Sequence, residues 1–371
     1  MERIASYFLR EIELQHLIGV SYVVCRKGKE IFRGNFGFAD VARTNNLQGN
    51  EIFRLASMTK PITAVAVLKA VEKGMLDLDE PIGTYIKGFH HGGVGKVEKG
   101  QAIFSHSARE ITLRDILCHT SGLGHNGKVG AFEDEKHNFD KPCQLKENVE
   151  NWNGALLDFA PGEIHNGYGG TVPFELAAYA VEYVSEQPFD NFLKQEIFQP
   201  LGMKDTTYSL TEEQKLRVVE VCQEKVRGKL EKLDLGWAGF HSYAEGYTGG
   251  SAGLFSTLDD YLSFANMLLY GNGILKQESL IEMRRPQYPQ EGNMQQWGLG
   301  VRVCTQVRGW QTLPIGSFGW SGYYGTHFWC EPQTGTVAVL MFNKDAEGAG
   351  SRFIRDFERL VQIELRNIIS F

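Results

Sequence analysis

Residues 57–73 constrain the fold of this 371-residue chain more than any other stretch. The spacing predicts a helix from Ser57 to Lys73, with Gly74 as a suitable C-terminal residue. Its apolar positions, Ile62, Val65, Val67, Leu68 and Val71, cover most of the circumference. A helix that is apolar nearly all round has little face to offer water, so the rest of the chain must enclose it. Pro61 fits only because it lies in the first turn, where amides have no intrahelical partner. At the head of this helix Ser57 and Lys60 form S-x-x-K. Residues at i and i+3 share a helix face, so an amine there can take the hydroxyl proton and make serine a nucleophile. Such a short pattern arises by chance about once in a chain of this length, so it needs companions.

The flanking segments predict the frame around that helix. Residues 2–17 carry apolar groups at helical spacing, with Gly19 as the stop. Val20–Cys25 reads as a strand, Lys27-Gly28-Lys29 as a hairpin turn and Ile31–Gly37 as the return strand. After about residue 296 the pattern changes to period 2 with many aromatics. Gly298–Cys304, Phe318–Trp320, Gly325–Trp329 and Thr336–Phe342 read as strands, with turns at 307–309 and 332–335. An amphipathic helix over Arg352–Ile369 closes the chain. Between these ends, Ile111–Cys118, Phe174–Ser185, Phe189–Phe198, Asp259–Tyr270 and Gln277–Met283 read as helices, and 84–109 and 124–148 as long loops. Residues 212–235 are charged and fit a helix or a pair of strands. The expected fold class is α+β. An antiparallel sheet built from 1–55 and 285–371 is flanked by the N- and C-terminal helices. A mostly helical inserted domain spans 56–284, and the active site lies at their interface.

Composition narrows the partners. Hydrophobic residues make up 42% and charged residues 22%, ordinary values for a soluble enzyme. A net charge of -7 argues against nucleic acid, which needs a basic face. Charges at positions 2, 3, 10 and 11 break every apolar run near the start, so no secretory h-region is read there, and no stretch is long enough to span a bilayer. The six cysteines (25, 118, 143, 222, 304 and 330) are scattered, with no C-x-x-C pair. They fit reduced thiols in a cytoplasmic protein. There is no H-E-x-x-H, and His90-His91 sit in a Gly-rich loop, so no metal site and no cofactor are expected.

A serine–lysine hydrolase also needs a proton-sharing group and two backbone amides for the oxyanion. Tyr168 lies in a turn-rich loop before a helix, where a phenol near an ammonium can relay a proton. Trp320-Ser321-Gly322 sits on a predicted strand, and glycine there marks close approach of another backbone or a ligand. His119 could serve as a base, although histidine in such a turn is more often structural. A rival pattern is Gly249–Gly253, which matches G-x-S-x-G, with Asp259 or Asp260 and His327 downstream. Its context lacks the buried strand that such an elbow requires.

The order and wording of these stretches resemble the serine β-lactamase-like superfamily: class C β-lactamases, D-alanyl-D-alanine peptidases and family VIII carboxylesterases. FRLASMTKPITA (53–64) looks like the nucleophile motif and ITLRDILCHTSGL (111–123) like the signature second helix. FAPGE (159–163) with Tyr168 and EQPFDNFLKQEIFQPLGMKDT (186–206) look like the tyrosine loop and the helices after it. GGSAGLFSTLDDYLSFANMLL (249–269) and FGWSGYYGTHFWCEPQTGTVAVLMFN (318–343) look like the later helix and the third motif. The resemblance implies Ser57 as the acylated nucleophile, Lys60 as its partner and Tyr168 as the second-motif tyrosine. It also implies the backbone amides of Ser57 and Tyr323 as the oxyanion hole. Two departures stand out. Tyr168-Gly169-Gly170 replaces Y-x-N or Y-x-S, and Trp320-Ser321-Gly322 replaces K-T-G or H-x-G. W-x-G is similar to the family VIII form, and tryptophan cannot attract a substrate carboxylate as lysine does. The expected activity is therefore a carboxylesterase on a small-molecule ester or amide. A β-lactamase, a D-Ala-D-Ala peptidase or a non-catalytic binding protein are the alternatives. Burial at a helix N-terminus gives Lys60 reason to lose its proton more easily than a free amine. Trp320, Ser321, Gly322, Tyr324 and Trp152, with Tyr323 and Phe328, are the expected substrate wall.

Overall fold

Helix α1 (Glu2–Glu13) buries Ile4, Phe8 and Ile12 on one face, the i, i+4, i+8 pattern of an amphipathic helix. It ends at Glu13, earlier than its apolar run suggested, because Gln15 takes a left-handed φ of 59° and turns the chain. Gly19 then opens β1 (Gly19–Arg26) rather than closing the helix. Lys27 and Gly28, both at positive φ, make a two-residue turn into β2 (Lys29–Gly37), the backbone that matches strand twist. The computed structural model describes residues 2–124, 127–137, 144–163, 168, 170–226, 228–241, 243–288, 295–306 and 313–369. The turn expected at 307–309 lies outside them.

The chain then runs through β3 (Ile52–Arg54), one 3-10 turn over Ala56–Met58 and α2 (Thr59–Glu72). Residues 59–68 and Ala70 of α2 are all buried, so the helix is enclosed as its sequence demands. The stretch read as a loop over 84–109 contains a hairpin, β4 (Val94–Glu98) and β5 (Gln101–His106). Its polar, half-exposed pattern carries no strand alternation, which is why it reads as loop. Next comes α3 (Leu113–Leu117), where Thr112 caps the helix and Asp115 closes the capping box. Asp115 is fully buried and takes a two-point contact from Arg109 at 2.6 and 2.8 Å. The second expected loop, 124–148, holds α4 (Lys128–His137) and the start of α5 (Leu145–Asn151), both rich in charged residues. Beyond them lie α6 (Val172–Ser185), a hairpin of β6 (Val221–Val226) and β7 (Lys229–Leu233), β8 (Phe255–Thr257) and α7 (Leu258–Tyr270). The charged segment 212–235 thus holds both expected options, a short helix at Glu212–Lys215 and a strand pair.

The last quarter supplies β9 (Gln295–Trp297), β10 (Arg302–Cys304), β11 (Phe318–Ser321), β12 (His327–Glu331), β13 (Thr336–Met341) and α8 (Arg352–Ile369). These strands and the first hairpin form one antiparallel sheet in the order β2-β1-β13-β12-β11-β10-β9. The fold is therefore α+β with both ends of the chain in one sheet, as expected. One face packs under α1 and α8 through Phe8, Tyr22, Trp329 and Phe357. The other meets α7, where Tyr261 lies 5.3 Å from Phe328, and then α2 and α6. No helix among the described residues is long and apolar enough to cross a membrane. Five cysteines (25, 118, 222, 304 and 330) are buried, and Cys143 lies outside the described residues.

Candidate active site

Ser57 is fixed by its neighbours on several sides. Arg54 exchanges hydrogen bonds with the Asn343 side chain: its amide donates to Oδ1 (3.0 Å), and its carbonyl accepts from Nδ2 (3.2 Å). The Leu55 amide donates to the Leu254 carbonyl (2.9 Å), while the Leu55 carbonyl accepts from Thr326 Oγ1 (3.0 Å). Ala56 then takes φ 46°, a region that costs a non-glycine residue about 1–3 kcal/mol. This sharp step turns β3 into α2 and puts Ser57 on the helix lip. Tyr261 clamps the far side by donating to the Met58 carbonyl (2.9 Å).

The three polar residues expected to work together do meet. Ser57 Oγ lies 2.7 Å from the Tyr168 hydroxyl, and Lys60 Nζ donates to Ser57 Oγ at 3.2 Å. Lys60 is only 1% exposed, so its amine needs fixed partners. A second bond goes to the Ser251 carbonyl (3.0 Å), and the rings of Tyr168 and Phe174 lie 5.0 and 5.5 Å from Nζ. Tyr168 itself leans on an aromatic cluster of His119, Trp297 and Trp320, with ring centroids 4.9, 6.4 and 5.6 Å away. His119 is buried and stacks on Trp320 at 9° between planes, which makes it part of the wall that holds the tyrosine.

The third motif comes to the nucleophile from the sheet. A Cβ on Gly322 would sit 2.1 Å from the Leu55 carbonyl, so only glycine lets this strand end reach the Ser57 loop. Gly322 itself is used inside the turn, its amide donating to Thr326 O (2.7 Å), and it does not line the cavity. Tyr323, one residue on, is 36% exposed and lines it. Trp320 and Ser321 line it from opposite faces of β11, as successive residues of a strand do.

Two further expected wall residues are also away from the cavity. Trp152 is 1% exposed within the main core, and Tyr324 is fully buried against Phe240 and Tyr243, its hydroxyl accepting from the His241 amide (3.1 Å). Neither borders the cavity. Large aromatics beside glycines pack as readily inward as outward, and sequence does not separate the two. The rival G-x-S-x-G set is not assembled. Ser251 is fully buried, Asp259 pairs with Arg33 (2.7 Å), Asp260 accepts from Thr206 (2.9 Å) and His327 faces Glu358. His91 is also structural, its Nε2 bonding the Arg109 carbonyl at 2.9 Å.

Sequence reasoning missed the support beneath Lys60. Glu175 of α6 is 1% exposed. Its carboxylate accepts from Tyr243 and Ser251 hydroxyls (2.6 Å each), from the Tyr247 hydroxyl (3.2 Å) and from the amides of Gly250 and Ser251 (2.8 and 3.2 Å). This pins the 249–251 turn, whose carbonyls hold Thr63 Oγ1 (2.7 Å, at Gly250) and Lys60 Nζ. A Cβ on Gly250 would lie 2.0 Å from Phe174 O, so the turn needs glycine to reach α6. The signal was in the rival motif: its glycines and serine serve Lys60, not a second nucleophile.

A cavity of about 370 Å³ opens beside this group. Within β11, β10 pairs with Phe318 and Gly319 but not with Trp320 or Ser321, which leaves the edge there open among the described residues. The cavity follows that edge from Ser57 and Tyr168 to Ile354, Arg355 and Glu358 of α8. Arg302, also on its wall, lies 5.3 and 5.4 Å from the rings of Trp297 and Trp320. A family model described as Beta-lactamase matches residues 6–362. The chain belongs to the beta-lactamase family. This family member is 27% identical to Esterase EstB of Burkholderia gladioli, over 93% of this chain and 91% of that protein. It is also 27% identical to the D-alanyl-D-alanine-carboxypeptidase/endopeptidase AmpH of Escherichia coli (strain K12), over 54% of this chain and 48% of that one. In fold it is similar to EstCE1, described as a hydrolase with promiscuous acyltransferase activity. That match has a TM-score of 0.83 and 21% identity, covering 97% of this chain and 98% of that one.

Proposed function

We propose that this beta-lactamase-family chain is a carboxylesterase that works through an acyl-enzyme on Ser57. The observation that carries the reading is the Lys60–Ser57–Tyr168 contact set at the mouth of a largely apolar cavity. Tyr168 and Lys60 together take the Ser57 proton as Oγ attacks the ester carbonyl. The amides of Ser57 and Tyr323 receive the oxyanion, a contribution worth about 10²–10³ in rate for one donor. Collapse breaks the bond to the alcohol oxygen, which leaves with the shared proton. Water then attacks the acyl carbonyl by the same route and frees Ser57 and the acid. Support for an ester comes from Trp320 in the place of a cationic third-motif residue and from similarity to EstB over nearly the whole chain.

One observation favours a second reading, a D-Ala-D-Ala carboxypeptidase. Arg302 returns a cation to the cavity wall, and a guanidinium suits a carboxylate. Its face is taken by Trp297 and Trp320, so the ester reading stands ahead. The test is a panel of short p-nitrophenyl esters, a chromogenic cephalosporin and a D-Ala-D-Ala peptide, with Ser57→Ala as the blank. Ester kcat/KM is expected to exceed the other two by about a hundredfold or more, as expected where a substrate carboxylate lacks a built partner. The reverse order would replace the esterase reading with the second one.

A further inference from the structure

Beyond the open edge of β11 the cavity reaches polar groups that the proposed mechanism leaves unused. Ser321 stands opposite His327 in the β11–β12 register. Ser321 Oγ lies 2.9 Å from His327 Nδ1, and His327 Nε2 lies 3.2 Å from Glu358 Oε1. His327 is 6% exposed and the Glu358 side chain 12%, and all three residues line the cavity that holds Ser57. Resting on the esterase reading, we infer that Ser321 presents a hydrogen-bond acceptor to the substrate, so that the preferred ester carries a hydroxyl or amide N–H donor near its carbonyl.

The argument counts hydrogens. A carboxylate only accepts, so the ring nitrogen that faces Glu358 carries a hydrogen; a lone pair there would meet a negative oxygen in a poorly hydrated site. The ring N–H is not aimed straight at the oxygen, so this tie is electrostatic rather than a formed hydrogen bond. A neutral imidazole has one hydrogen. With it on Nε2, Nδ1 can only accept, and Ser321 must give its single hydrogen to Nδ1. The lone pairs of Ser321 Oγ are then what remains for a ligand. A substrate O–H or N–H finds an acceptor there, whereas an ether or carboxylate oxygen meets like lone pairs. The other charged groups on this cavity, Arg302 of β10 and Arg355 of α8, are donors only and cannot take the ring hydrogen from Glu358. Protonating the ring reverses the arrangement. Nδ1–H then donates to Ser321, and the hydroxyl hydrogen swings toward the cavity.

The test uses two matched pairs of small esters, a hydroxyl against its methyl ether. The group sits on the acyl chain in one pair and on the alcohol in the other. The unmodified protein is expected to favour the hydroxyl member of at least one pair by about tenfold in kcat/KM. Ser321→Ala is expected to bring that ratio to within about twofold of unity. Glu358→Gln, which frees the ring to choose its tautomer, is expected to lower it as well. Equal rates within both pairs, or a preference that survives Ser321→Ala, would overturn the inference while leaving the esterase reading intact. Failure to hydrolyse any of the four esters would overturn that reading and this inference with it.

Discussion

Replacing Lys60 by methionine is expected to lower kcat/KM for a short p-nitrophenyl ester by about 10⁴-fold, a loss typical of a residue that shares the proton of the nucleophile. Methionine nearly matches the length of lysine and suits the apolar surroundings, which include the Phe174 ring 5.5 Å from Nζ. The Ser251 carbonyl loses its donor, a cost of about 1–3 kcal/mol for a buried acceptor left alone. No charge is left buried by the change, so the protein should still unfold cooperatively within several degrees of the parent. Steady-state kinetics beside a thermal melt separates the two effects. Retention of more than about a tenth of the activity in a folded Lys60→Met protein would remove Lys60 from the mechanism.

Glu175→Gln is expected to lower kcat by about a hundredfold with KM changed by less than about threefold. Glu175 sits under the machinery and touches no proposed reacting atom. It acts through the 249–251 turn, whose Ser251 carbonyl sets the Lys60 amine. An amide in that place offers one oxygen where five donors converge and points its own N–H groups at some of them. The turn should shift and carry the amine away from Ser57 Oγ, which spoils geometry more than binding. A thermal melt beside steady-state kinetics tells this apart from simple loss of stability, because a displaced amine lowers kcat in a protein that is still fully folded at the assay temperature, whereas partial unfolding lowers the amount of active enzyme. Glu175→Ala removes the buried acceptor that five donors share and should cost about 3 kcal/mol or more in stability. A Glu175→Gln enzyme with unchanged kcat would show that Lys60 is set by its own helix alone.

Much of this was legible in the residues because it follows from local rules. The all-round apolar pattern of 57–73 requires burial whatever surrounds it, and α2 is buried. Both end segments carry apolar, strand-forming runs bounded by turn residues, and both fall in the one sheet, where β1, β12 and β13 are buried along nearly their whole length. Ser57 and Lys60 are three residues apart on one helix, so their contact is set by helix geometry. Other features depend on tertiary choice. The hairpin at 94–106 and helix α4 mix polar and apolar residues in a local pattern that favours neither outcome. Trp152 and Tyr324 went to the core while Trp320 reached the cavity, a choice made by the packing partners of each. Glu175 was invisible because a lone acid in an apolar helix has no local signature. Its five donors come from a turn some 70 residues away and from two loop tyrosines. Ser321 was expected in the substrate wall, but its partners were not legible. Its pairing with His327 requires strand register, and the tie to Glu358 requires α8 to cross the sheet.

The central claim is that Ser57 becomes acylated, and the direct measurement is to locate the acyl group. The protein would be mixed with a fluorophosphonate, or quenched in acid during turnover of a p-nitrophenyl ester, then digested and sequenced by tandem mass spectrometry. The account predicts one adduct, on Ser57, absent from Ser57→Ala and strongly reduced in Lys60→Met. An adduct on Ser251 or Ser321 in the unmodified protein, or ester turnover with no adduct on Ser57, would contradict it.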